Sequence, residues 1–258
     1  MNGAPLVGYD RLLEVIGIEG ELLAGSATGA NPDADVPGCP GLKLSETVRH
    51  VGSLYRMVLA WVRAGDRPTA WQREPDEGQS VVDYFRAGLR AVIDHLSAHD
   101  PEENCPTWWP AHQNYGFWCR RLAHETTVHR ADVQGAAGMS QGTVAEDTAV
   151  DGVDEILALW FSHRLDVLGV SGTRDGRVKI RTGGREWIAR ATPTGTSVRR
   201  VEPGGGVAGV DGVDGTVFGD PMSMFLWLWG RLPPHFVTRE GSDDAIAQLW
   251  ALLRLATR

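Results

Sequence analysis

Along the first 140 residues, apolar side chains recur every three or four positions in four stretches separated by Pro- and Gly-rich sequence. Asp10–Leu23 carries Leu12, Leu13, Val15, Ile16 and Ile18, and the run Gly25-Ser26-Ala27-Thr28-Gly29-Ala30 predicts a loop after it. Three prolines between Asn31 and Gly41 exclude helix there. Ser45 reads as the N-cap of a second helix, whose stripe of Val48, Val51, Tyr55, Val58, Leu59 and Val62 ends at Gly65. Ser80 opens a third helix in the same way, with Val81, Phe85, Leu89, Val92, Ile93 and Leu96 as its apolar face. Beyond the Pro/Trp-rich segment 101–110, Tyr115–Ala136 predicts a fourth, closed by Gly135 and Gly138. Four antiparallel helices of this length predict a bundle.

The period changes near residue 145. Ala145–Leu168 still reads as helix, but Arg177–Thr182, Glu186–Thr192 and Ser197–Glu202 are β-rich, with Gly-Gly and Thr-Gly turn signals between them. Seven glycines between Gly204 and Gly219 predict a long loop or irregular edge. A strand at Thr216–Phe218, a helix at Met222–Gly230, a strand near His235–Arg239 and a terminal helix at Asp243–Ala256 complete the pattern. The expected architecture is a helical domain over 1–145 followed by a small α+β domain over 146–258.

Candidate chemistry concentrates in the fourth helix. Glu125, His129 and Asp132 share one face, because four residues advance about 400°. His124-Glu125 does not begin a zincin motif, since the second histidine would have to stand at position 128, which is Val. A Glu and a His one turn apart supply two ligands of a His₂Glu metal site, and His50 on the second helix is the best candidate for the third. The spacing alone is weak, since a chain with 33 acids and eight histidines contains about one such pair by chance. A histidine beside an apolar stripe also serves as a hydrogen-bonded core residue, so both readings stand at this point.

The stretch from Arg121 to Asp132 (Arg-Leu-Ala-His-Glu-Thr-Thr-Val-His-Arg-Ala-Asp) resembles a helix of the mycothiol-dependent maleylpyruvate isomerase family, which has a DinB-like metal-binding fold. So does Val36-Pro37-Gly38-Cys39-Pro40-Gly41 followed by Glu46-Thr47-Val48-Arg49-His50. Asp151-Gly152-Val153-Asp154-Glu155 and Phe225-Leu226-Trp227-Leu228-Trp229-Gly230-Arg231 look like that family's junction and C-terminal domain. Leu42 departs from the pattern, where the family usually has Trp after Cys-Pro-Gly. The resemblance implies His50, Glu125 and His129 as zinc ligands, and mycothiol as a thiol cosubstrate at the open fourth position. A thiol there is converted to thiolate near neutral pH. Adding to an electrophilic double bond and leaving again gives isomerisation, whereas a persistent adduct gives S-transfer. Small electrophiles, anionic unsaturated ones among them, are the implied substrates.

Further roles are expectations of the same reading. Arg121 is a candidate for binding the thiol, with an ordinary ion pair to Glu125 as its other role. Trp118 is a candidate pocket wall beside it, and Arg231 a candidate catalytic arginine on the substrate side. Trp61, Trp227 and Trp229 join Trp118 as possible wall residues, while Asp132 stands either as a partner of His129 or as an outward charge. Cys39, Cys105 and Cys119 lack a local base and are expected to be bystanders. Two other function classes remain: a non-catalytic DinB-like binding or regulatory module, and a metal-dependent hydrolase using bound water.

Composition narrows the setting. A formal charge of -8, with no block of basic residues, argues against nucleic acid or an anionic membrane as partner. Three cysteines without a C-x-x-C spacing fit a reducing compartment, and residues 1–5 show no basic or apolar leader, so a cytoplasmic monomer or homodimer is expected. Only Lys43 and Lys179 are lysines, against 32 glycines, which suggests a GC-rich genome and, with the resemblance, an actinobacterial source. Gly204–Gly209 formally matches G-x-G-x-x-G, but the Val-Asp-Gly repeats after it cannot form the required helix. No Walker sequence occurs.

Overall fold

A computed structural model describes residues 3–201 and 212–257. Helix α1 spans Tyr9–Ala27 and takes in the first three residues, Gly25–Ala27, of the segment expected to be a loop. Ser26 and Ala27 are buried, and the Ser26 hydroxyl donates to the Leu22 carbonyl at 2.7 Å, so packing overrides the weak propensity of Gly25. Helix α2 spans Leu44–Ala64, starting one residue before the expected cap at Ser45. There Leu44 is buried, and the Lys43 N–H donates to the Glu46 carboxylate at 2.8 Å. Helix α3 (Val81–Ser97) is capped by Ser80, which accepts from the Asp83 N–H at 3.0 Å. Helix α4 (Tyr115–Ala136) begins at Asn114, whose side chain accepts from the Phe117 N–H at 3.1 Å.

These helices form one compact unit, Val7–Thr143. Around the bundle α1 packs on α3 and α4, and α2 packs on the same two helices from the other side. The α2–α3 crossing is close because both partners are glycines. A Cβ on Gly88 would lie 3.1 Å from the Gly52 carbonyl, and one on Gly52 would lie 3.1 Å from the Phe85 Cα. Helix α4 is buried along nearly its whole length.

Val144–Arg258 form a second unit together with the N-terminal Met1–Leu6, which is fastened there by the Leu6 N–H to Asp151 and by Arg200 to the Ala4 carbonyl. Helix α5 (Glu146–Glu155) continues through a wide π-helical stretch, Ile156–Arg164, into a last turn, α6 (Leu165–Val167). The expectation over Ala145–Leu168 was uniform helix. Within the widened stretch the Phe161 carbonyl accepts from the Thr196 hydroxyl at 2.6 Å, an outside partner for a ladder group.

The sheet contains β1 (Gly176–Thr182), β2 (Arg185–Thr192), β3 (Gly195–Val201), β4 (Gly215–Phe218) and β5 (Thr238–Gly241), in the order β3-β2-β1-β4-β5. All neighbours are antiparallel except β1 and β4, with Ile180 opposite Val217. The β1–β2 turn is Gly183-Gly184 with φ of 51° and 70°, the left-handed pair that a tight hairpin requires. Helix α7 (Pro221–Leu228) starts on the Asp220 cap, and α8 (Asp243–Ala256) starts on Ser242. The strand expected near His235 begins three residues later, because Pro233 and Pro234 lead a single 3₁₀ turn over Pro234–Phe236. The glycine-rich stretch Gly204–Gly209 lies outside the described residues. Among the described residues, no helix is long and apolar enough to cross a membrane. The architecture is an α-helical bundle followed by an α+β domain.

Candidate metal centre

The face of α4 that carries Arg121, Glu125, His129 and Asp132 turns toward α2, and the two helices are tied in register by a buried bond, Tyr55 to Thr126 at 2.7 Å. That register brings His50 opposite Glu125. The imidazole Nε2 of His129 lies 3.2 Å from Glu125 Oε1, and His50 Nε2 lies 3.9 Å from the same oxygen. One donor atom from each of His50, Glu125 and His129 lies within 4.8 Å of the others, and among the described residues this is the one such group. Four tetrahedral zinc ligands stand about 3.3 Å apart, so small rotations of these side chains close the set on an ion. Side-chain exposure rises from 10% at His129 through 18% at Glu125 to 30% at His50, so the site opens on the His50 side.

Each ligand already has an orienting partner. Arg121, itself buried, donates to the second Glu125 oxygen at 2.9 Å, which leaves Oε1 to face the imidazoles. The ion pair, one of the two roles open to Arg121, is thus present. Asp132 is buried rather than outward and lies 3.0 Å from His129 Nδ1, which fixes the ring with Nε2 toward Glu125. Burial resists charge on Glu125, but Arg121 and the histidines outweigh it and hold the carboxyl well below its ordinary range. Burial likewise resists charge on His129, yet hydrogen bonds to Asp132 and Glu125 prevail and push it up to about 9. Without metal, a cation therefore sits between two carboxylates on His129. A divalent ion replaces that proton with the same sign of charge.

Two contributors were not foreseen in the sequence. Gln72, on the loop between α2 and α3, places its amide Nε2 2.7 Å from His50 Nδ1, and the Trp71 ring stands edge-on to His50 at 5.3 Å. Cys39, expected to be a bystander, has its sulfur 3.6 Å from Asp132 Oδ2, so it borders the site through that carboxylate. Neither follows from spacing along a helix, because both residues arrive on loops. Cys105 and Cys119 are buried.

Trp118 is 1% exposed, donates to the Pro106 carbonyl at 3.0 Å, and packs edge-on against Trp61 at 5.4 Å. Trp61, Trp227 and Trp229 are also buried in their own units. Arg231, in the second unit, follows the turn that ends α7 and donates to the Trp229 carbonyl at 2.7 Å.

Residues 16–134 match the family model of the mycothiol maleylpyruvate isomerase N-terminal domain, a span that includes His50, Gln72, Arg121, Glu125, His129 and Asp132. The match lies within the helical unit Val7–Thr143 and covers most of it. The whole fold is similar to two solved structures of the mycothiol-dependent maleylpyruvate isomerase. One, of a histidine-to-alanine variant, aligns at 11% identity with a TM-score of 0.60. The other aligns at 13% identity with a TM-score of 0.56, and both alignments cover 93% of this chain and 96% of the other. The α+β unit therefore shares the mycothiol-dependent maleylpyruvate isomerase fold as well, since the N-terminal bundle alone cannot account for that coverage. No curated protein sequence matches the chain.

Proposed function

We propose that this protein is a zinc-dependent, mycothiol-using isomerase or S-transferase acting on a small electrophile. The observation that carries the reading is the convergence of His50, Glu125 and His129, inside a mycothiol maleylpyruvate isomerase N-terminal domain. Zinc on three protein ligands keeps a position for an external one, and a thiol bound there is a thiolate near neutral pH. The chain's own residues hold that arrangement. Arg121 offsets one charge of Glu125, Asp132 sets the His129 ring, and Gln72 reaches the back of the His50 ring. Arg121 is also the proposed contact for the thiol cosubstrate, with Trp118 as packed support three residues earlier on α4. Arg231 is proposed as the arginine for an anionic substrate, so Arg231→Ala should raise KM for a carboxylated electrophile more than for a neutral one.

Thermal unfolding with mycothiol, glutathione or neither, each with and without chelator, tests the reading. The expected result is about one equivalent of divalent metal in the purified protein and a stabilisation by mycothiol that the chelator abolishes. His129→Ala should lose both. Purified protein without metal, behaving identically to His129→Ala, would overturn the proposal.

A further inference from the structure

The two imidazoles of the centre are supported unequally. His129 is fixed from its own helix by Asp132, a fully buried carboxylate. His50 is fixed from an exposed loop, through Gln72 at 2.7 Å from Nδ1. That loop is fastened along α2 at three consecutive residues: Gln72 to His50, Arg73 through its N–H and carbonyl to the Ser53 hydroxyl at 3.2 Å each, and Glu74 to Arg49. The His50 ring stands between the Trp71 and His129 rings, edge-on to each at 5.3 Å. On its Nδ1 side the polar anchor of this ring is Gln72.

We infer that Gln72 is a positioning residue of the metal centre, holding the His50 ring through Nδ1 so that Nε2 is presented to the ion. The inference rests on the metal reading given above. Glutamine suits the task because its amide offers a donor or, after a half-turn, an acceptor. When Nε2 gives its lone pair to a metal, Nδ1 carries the proton and requires an acceptor, which the Gln72 carbonyl oxygen supplies. When no metal is bound, the amide N–H donates to Nδ1 and the ring stays in place. A neutral amide also strengthens the ligand less than a carboxylate does, so His50 is the more weakly held imidazole of the pair.

Zinc affinity measured by competition with a chromophoric chelator, together with the visible spectrum of the cobalt(II)-loaded protein, tests this on wild type, Gln72→Leu, Gln72→Glu and His129→Ala. Gln72→Leu should bind zinc about 10-fold more weakly and alter the cobalt spectrum. Its metal-free thermal unfolding should match wild type, since Gln72 is exposed. Gln72→Glu should restore the affinity, because a carboxylate accepts from Nδ1–H. Wild-type affinity and spectrum in Gln72→Leu, with zinc lost in His129→Ala, would overturn the inference and leave the metal reading intact. A Gln72→Glu protein no tighter than Gln72→Leu would overturn it as well. Wild type that binds no zinc would overturn both.

Discussion

His129 faces two carboxylates at once, Asp132 through Nδ1 and Glu125 through Nε2, and only the second is available to share an ion with it. Asp132 therefore acts through the ring. Asp132→Asn should cost 10- to 100-fold in metal affinity, read by chelator competition, because a neutral amide polarises Nδ1–H less than the carboxylate does. A second prediction concerns the thiols. Burial pushes Cys105 and Cys119 up to about 12, whereas Cys39 is partly exposed. At pH 8 the two buried thiols hold a thiolate fraction on the order of 10⁻⁴, against about a quarter for an ordinary cysteine. Mass spectrometry after brief alkylation of native protein should find Cys39 modified first; prior labelling of Cys119 would contradict the packing. Because both folded-state values are raised, these thiols favour the fold below pH 8.5 or so, and that contribution is lost as pH rises toward 12. Of the site residues, Glu125, His129 and Asp132 were legible because helical spacing alone gathers them. Gln72 and Cys39 were not, since their positions depend on where two loops are tied down.

Among the elements, α4 was the easiest to delimit and the hardest to interpret. Its ends follow from Asn114 and the glycines after it, but it lies nearly buried, so its polar residues face protein on most sides and leave no solvent stripe. Arg130 shows the consequence. It is wholly buried, pairs with Glu19 of α1, donates to Gln134 at 2.8 Å, and reaches the carbonyls of Gly142 and Thr143. Arg130→Ala should destabilise the helical unit by about 3–5 kcal/mol in urea unfolding, since it leaves the Glu19 charge buried without its partner. A loss under 1 kcal/mol would mean that water reaches this group. Other elements differed from the sequence pattern for similar reasons. Burial carried α1 past Gly25, while two prolines delayed β5. The widening of the helix after α5 has a partner in Thr196, which no local pattern announces.

For the whole molecule, the division into units makes a prediction that activity measurements cannot. All three proposed ligands and their orienting partners lie in Val7–Thr143, on α2, α4 and the loops beside them. The sheet of the second unit contributes none of them. Metal binding stabilises the state that binds it, by about 2.7 kcal/mol when free metal stands at 100 times its Kd. Local opening of α2 and α4 separates His50 from Glu125 and His129, so those openings should be suppressed in proportion to the affinity. Hydrogen–deuterium exchange read by peptide should therefore slow across Leu44–Ala64 and Tyr115–Ala136 when zinc is added to metal-free protein. Peptides covering β1 to β3 should exchange at unchanged rates under the same conditions. His129→Ala should remove the protection in both helices together, because the ion bridges them. Protection that appeared in the sheet and not in α2 would place the metal elsewhere and would set aside the His50, Glu125 and His129 centre.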